Sequence, residues 1–126
     1  MNYLIDTHIL IWHAENSSKL SSRFADVLNN PSNDIVVSYA SLWEIAIKQS
    51  LGKLNVSMTL SELENHLQEN LFTLLNTSVV QLERLQELPF HHNDPFDRLL
   101  IAQAQEENLI IITEDGNFKY YDVNLL

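Results

Sequence analysis

The chain has 126 residues, 45% of them hydrophobic and 19% charged, which is enough for one domain with a sizeable core and too little for two. It has no cysteine and only two glycines, Gly52 and Gly116, which excludes thiolate chemistry, disulfides, Cys-ligated metals and the Gly-rich loops that wrap phosphates. Seven Lys+Arg against seventeen Asp+Glu leave a formal net charge of -10, so no broad basic face draws in nucleic acid by bulk electrostatics.

Tyr3-Leu4-Ile5 reads as a buried first strand; with Asp6 behind it and no basic residue before it, it is not a signal peptide. A helical apolar pattern runs through Ile9 to Trp12, and a second helix from about Ser21 to Asn29 is stopped by Pro31. Ile35-Val36-Val37 is the second predicted strand. Ser41 opens a helix to about Leu51, with Leu42, Ile45 and Ala46 at helical spacing and Gly52 as its stop. Thr59 or Ser61 begins the next helix, to about Asn70, and 72–75 makes a short strand. Ser78 with Gln81 three residues later starts a helix that Pro89 ends. Asp94-Pro95 is an N-cap with proline at the first helical position, launching 96–107, and Leu109 to Ile112 is a continuous apolar strand. Asp122 to Leu125 adds a last strand. Short apolar strands alternating with helices predict a parallel sheet covered on both faces, a three-layer α/β/α sandwich, as a single domain over 1–126. No apolar run reaches membrane-spanning length, so a soluble, cytoplasmic protein is expected.

Ligands of open parallel sheets bind outside the carboxyl ends of the strands, and there this sequence places acids. Asp6 follows the first strand and Asp115 lies just beyond the last long one. Glu44 is expected in the first turn of the helix after the second strand, and Asp97 in the first turn of the helix before Ile110. Each has a plainer reading. Glu44 three after Ser41 fits a capping box, Asp97 three after Asp94 imitates one, and Asp115 suits a turn. Asp6 is harder to explain structurally, since a charge closing a buried strand has no evident packing role. As a set they are more specific. Carboxylates ~4 Å apart repel by about 4 kcal/mol per pair at an effective dielectric near 20, so convergence calls for a cation or shared protons. All-oxygen donors select a hard ion, Mg2+ or Mn2+, and the matching reaction is attack of ion-activated water on a phosphodiester.

Among the histidines, His91-His92 reads as structural or solvated, because neighbouring positions diverge and no third imidazole follows at ligand spacing. His8, two after Asp6, is either a surface histidine or a substrate contact. Trp12, Trp43, Phe24, Phe90 and Phe96 fit core or subunit contacts better than base-stacking platforms. Lys48, Lys53 and Lys119 lie near the proposed site segments and are candidates for phosphate; Arg98 either does the same or pairs with a neighbouring acid.

Four segments in order, Tyr-Leu-Ile-Asp-Thr at 3–7, Ser-Leu-Trp-Glu-Ile-Ala-Ile-Lys at 41–48, His-Asn-Asp-Pro-Phe-Asp-Arg-Leu-Leu-Ile-Ala-Gln-Ala at 92–104 and Thr-Glu-Asp at 113–115, resemble the motifs of PIN-domain proteins, especially VapC-type toxins of type II toxin–antitoxin systems. The resemblance spans nearly the whole chain. It implies a PIN α/β/α sandwich and puts the family's acidic quartet on Asp6, Glu44, Asp97 and Asp115. Thr113 takes the family's hydroxyl position, where it would hold water at the ion, and Asp94 reads as a cap or a support behind the acids. It further implies a Mg2+- or Mn2+-dependent endoribonuclease, usually dimeric. Its partner would be a VapB- or Phd-like antitoxin whose tail fills the acidic groove and which carries the contact to operator DNA. Two other classes compete. A receiver-type phosphoacceptor needs an acid after the third strand, where Asn76 and Thr77 stand, and a non-catalytic PIN-like protein would bind RNA or a partner without cutting.

Overall fold

The computed structural model describes residues Met1–Leu126. The strands are β1 (Asn2–Ile5), β2 (Asp34–Ser38), β3 (Thr73–Leu75), β4 (Ile110–Ile112) and β5 (Asn124–Leu125). The helices are α1 (Thr7–Ala14), α2 (Ser22–Leu28), α3 (Tyr39–Ser50), α4 (Leu60–Glu69), α5 (Val79–Glu87) and α6 (Pro95–Glu107), and a 3₁₀ turn spans Gly116–Tyr120. All strand pairs are parallel, in the order β3-β2-β1-β4-β5, with Leu4 opposite both Val36 and Ile111. The expected parallel α/β/α sandwich is therefore the observed one.

Alternation along the strands divides the core into two layers. Tyr3, Ile5, Ile35, Val37 and Ile112 face a layer with Ile9 and Leu10 of α1, Phe24 of α2, Ile45 of α3 and Leu63 of α4. Leu4 and Ile111 face the other, with Leu100, Ile101 and Ala104 of α6, Phe118, and Leu85 of α5. A central strand packed on both sides has no polar position inside it, which is why β1 and β4 read as unbroken apolar runs.

The helix ends explain most of the boundaries. Thr59 with Glu62 and Ser78 with Gln81 form complete capping boxes, and Asp94 caps α6 ahead of Pro95. Gly52, at a φ of +67°, closes α3 where a side chain would be strained, and the Lys53 N–H reaches back to the Lys48 carbonyl. One start differs from expectation. Ser38, not Ser41, caps α3, its Oγ accepting from the Ala40 N–H, and Ser41 is buried within the helix. Glu44 therefore sits in the second turn, beyond the reach of a capping box, and that reading of it falls away. The 3₁₀ turn was not expected; Asp115 caps it.

Candidate active site

From β1 the chain adds β2 and β3 on one side, then returns to add β4 and β5 on the other, so the topological switch lies between β1 and β4. The carboxyl ends of these two strands deliver Asp6 and, through Thr113, Asp115. α3 brings Glu44 and α6 brings Asp97 alongside, the helices touching where the rings of Trp43 and Phe96 meet edge-on at 5.2 Å. Each aromatic residue immediately precedes an acid, so this contact fixes how near the two acids come.

Asp6 does have a structural role. Its Oδ1 accepts from the Ile9 N–H at 2.9 Å and caps α1, correcting the expectation that packing offered it none. Its Oδ2 accepts the Thr113 hydroxyl hydrogen across the β1–β4 gap, and Thr113 Oγ1 in turn accepts from the Asp115 N–H at 2.9 Å. Buried Glu44 takes a hydrogen bond from Thr7 Oγ1 at 2.6 Å on one oxygen and the Lys48 ammonium on the other. The Asp97 N–H donates to Asp94 Oδ1 at 2.9 Å, whereas the Asp97 carboxylate points away from the cap towards His92 Nε2, 3.4 Å off. The imitation capping box is thus half real: Asp94 caps, and Asp97 remains available.

The carboxylates share one electrostatic field. Burial raises the Asp97 carboxyl to about 8, helped by the charges of Asp94, Asp115, Glu44 and Asp6. Asp6 is also raised by burial and by Asp115, against the pull of Thr113, the Ile9 N–H and the exposed His8. Lys48 is raised, chiefly by its hydrogen bond to Glu44. Lys48 is the lysine that meets these acids, through Glu44.

A hard divalent ion suits this donor set. The donors are all oxygens, they repel one another, and two are already oriented by hydroxyls. No three of them stand at metal-ligand spacing, so the fit rests on the chemistry of the donors and not on a closed cage.

Other expectations divide. Arg98 pairs with no acid. It is 4% exposed, donates to the Pro89 and Leu88 carbonyls at 2.8 and 3.4 Å, and stacks on Phe90. Phe24 is core, but Trp43 and Phe90 are 60% and 76% exposed and are not. His92 is not solvated; it lies against Asp97 with Tyr121 on its other nitrogen. Thr7 and Tyr121 were not singled out from the sequence. Thr7 could have been, as a hydroxyl directly after the acid that closes β1, whereas Tyr121 reaches the site from 29 residues beyond His92 with no local signal.

Among curated proteins no sequence matches this one. Solved structures resemble it along the whole chain. VapBC2 from Rickettsia felis, bound to a DNA fragment from their promoter, superposes with a TM-score of 0.73 at 19% identity, covering 100% of this chain and 98% of that one. VapBC-1 from nontypeable Haemophilus influenzae gives 0.67 at 19%, covering 100% and 97%, and FitAcB from Neisseria gonorrhoeae 0.65 at 17%, covering 100% and 96%. The PIN domain family model matches residues 3–124, a span that takes in all four acids and the switch point between β1 and β4. On that match, and on the fold that agrees with it, the chain belongs to the PIN domain family.

Proposed function

We propose that this protein is a Mg2+- or Mn2+-dependent endoribonuclease, the VapC-type toxin of a type II toxin–antitoxin pair, acting through Asp6, Glu44, Asp97 and Asp115. The observation that carries the reading is the convergence of four acids from four segments: Thr113 links Asp6 to the Asp115 N–H, Thr7, next to Asp6, holds Glu44, and Asp97, which burial raises, feels the charges of the other three. Folding has assembled a concentration of negative charge that a divalent cation relieves. PIN domains are generally nucleases, and the structural neighbours are toxin–antitoxin complexes.

A divalent ion bound here supplies a lowered water pKa and screens the charge gathering on the phosphodiester. In hydrolysis a water gives up a proton as its oxygen bonds phosphorus, the P–O bond to the leaving ribose oxygen breaks, and that oxygen gains a proton. Asp6, Glu44, Asp97 and Asp115 would hold the ion. Thr113 would keep Asp6 turned inward, Thr7 would do the same for Glu44, and Lys48, paired with Glu44, would be the nearby cation for substrate phosphate. Asp94 serves as the cap of α6.

The partners follow from charge and shape. A molecule of net charge -10 with an acidic cleft accepts an antitoxin tail carrying Arg or Lys, and contact with operator DNA falls to the antitoxin. For the homodimer we assign the face of α3 and α5 where Tyr39, Trp43 and Leu82 stand exposed around a crevice of about 310 Å³ that Leu99 also lines. No helix is long and apolar enough to cross a membrane, which accords with the cytoplasm as the site of action.

A PIN-like protein that binds RNA or a partner without cutting gains from two observations: Lys48 already neutralises Glu44, and no three acids stand at ligand spacing. End-labelled RNA incubated with purified protein across Mg2+ and Mn2+ titrations, with a chelator control and Asp97→Asn alongside, separates the two. Metal-dependent cutting that falls at least 100-fold in the variant supports the nuclease. RNA bound but never cut at any metal concentration supports the binding protein.

A further inference from the structure

Tyr121 is buried on the far side of His92 from Asp97, and its hydroxyl makes more contacts than its one hydrogen allows without a fixed direction. Arg98 Nη1 donates to that oxygen from 3.3 Å and the His92 backbone N–H from 3.2 Å, which uses both lone pairs. His92 Nδ1, at 2.8 Å, is the shortest contact. With no lone pair left to receive a third donor, the tyrosine must give its hydrogen there, the 3.5 Å His92 carbonyl being the poorer acceptor. Nδ1 of the neutral ring is then the acceptor, the ring hydrogen sits on Nε2, and Nε2 is the atom that faces Asp97 Oδ2.

The remaining contacts hold the assembly in place. Arg98 is pinned by the Leu88 and Pro89 carbonyls and by the Phe90 face 4.0 Å from its carbon, and the His91 and His92 rings both pack on the Tyr121 ring. The Asp97 carboxylate has no other side-chain partner, because the cap at the start of α6 belongs to Asp94. We infer that His92 is a positioning residue for Asp97: the Arg98–Tyr121 pair locks its imidazole in the Nε2–H tautomer, and that N–H orients the Asp97 carboxylate towards the ion. The inference rests on the metal-site reading above and deepens it. Carboxylates that hold metals are themselves oriented by hydrogen bonds, and losing such a partner costs 10–100-fold in metal affinity or activity in known sites. At 3.4 Å the contact is long for a hydrogen bond to a carboxylate and has room to tighten.

Two readouts test this without RNA. Long-range ¹H–¹⁵N correlation spectra of the full chain, at a pH where His92 is neutral, are expected to show its Nδ1 bare and its Nε2 protonated, and to show the tautomers redistributed in Tyr121→Phe. Mn2+ titration followed by electron paramagnetic resonance is expected to give about tenfold weaker binding for Tyr121→Phe and for His92→Leu, with most of the loss restored in His92→Gln, whose amide reaches the Nε2 position. A His92 protonated on Nδ1 in the wild type overturns the proposal. So do variants that remain folded by circular dichroism and bind Mn2+ as tightly as the wild type, since a purely structural role would lower stability and leave affinity untouched. If the wild type binds Mn2+ and cuts no RNA, the nuclease reading fails while this one still stands or falls on the spectra and affinities.

Discussion

Asp97 illustrates how a single carboxyl records its surroundings. Raised to about 8 from an ordinary value of 3.8, it is more readily protonated in the folded chain than in the unfolded one. Its favourable contribution is therefore complete below about pH 4 and is lost as pH rises towards 8. Without divalent metal the wild type should lose stability over that interval, and Asp97→Asn should escape most of the loss. After discounting for solvent screening we expect the variant to be more stable by about 1–2 kcal/mol at pH 8 and indistinguishable near pH 4. Urea unfolding in chelator at both pH values checks this, and parallel pH responses in the two proteins would argue that the acids do not share a field. Mg2+ should cancel the difference from the other side, since an ion at 100 times its dissociation constant adds about 2.7 kcal/mol to the protein that binds it. This residue was legible in the sequence because Asp94-Pro95 fixes where α6 begins. His92 was not, because its role depends on Tyr121, which the fold brings from elsewhere.

At the scale of elements, α1 carries a different device at each end. Its first residue follows Asp6, which both caps the helix and faces the cleft. Its far end holds His13, whose Nδ1 meets His66 Nε2 of α4 at 2.8 Å while its Nε2 meets Asn29 Oδ1 at 2.9 Å. Asn29 Oδ1 can only accept, so His13 Nε2 carries the hydrogen and Nδ1 accepts from His66, a chain complete with both rings neutral. Burial lowers His66 below the usual histidine value, assisted by His13 and opposed by Glu69. A lowered histidine contributes stability above its unfolded pKa of about 6.5 and loses it as pH falls below. Hydrogen exchange of the α4 amides of Leu63 and Leu67 should accelerate several-fold relative to the core strands between about pH 7 and about pH 5.5, and His66→Gln should flatten that response. Unchanged relative protection across the range would show that the pair does not latch α4. The sequence shows the helices and most of their caps, because capping boxes and the proline are local signals. It misplaces the start of α3, where Ser38 and Ser41 are both plausible caps and only the end of β2 decides between them. For exposed Trp43 the sequence left core and subunit contact both open, because helical spacing marks an apolar face without saying whether the same chain covers it.

For the whole molecule, the net charge and the parallel sheet act together. The sheet collects acids at one edge, and the remaining surface supplies no basic field to offset them. On the function proposed above, RNA would approach against repulsion and be captured at the ion and at a few lysines. At saturating metal, raising monovalent salt from about 50 to about 200 mM should leave KM for RNA level or lower it, the reverse of the steep loss seen when many phosphate contacts release counterions. A tenfold rise in KM would mean that a basic surface does the binding. Charge placed on the apolar face should act on assembly alone. Leu82→Glu is expected to convert a dimer to a monomer in sedimentation velocity without altering Mn2+ affinity, and an unchanged dimer would move the interface elsewhere. The sandwich was legible because strand and helix alternate so regularly. Coverage on both faces also follows from apolar β1 and β4, whereas the strand order, and with it the crossing between them, and the pairing of Thr113 with Asp6 needed the structure.

The central claim is that four acids from four segments hold one ion. Mn2+ binding to the metal-free chain and to Asp6→Asn, Glu44→Gln, Asp97→Asn and Asp115→Asn, measured calorimetrically with folding confirmed for each, tests it most directly. We predict one Mn2+-dependent event in the wild type and at least tenfold weaker binding in every variant. Wild-type affinity retained in two or more of the folded variants would contradict it, leaving those acids as caps and turns.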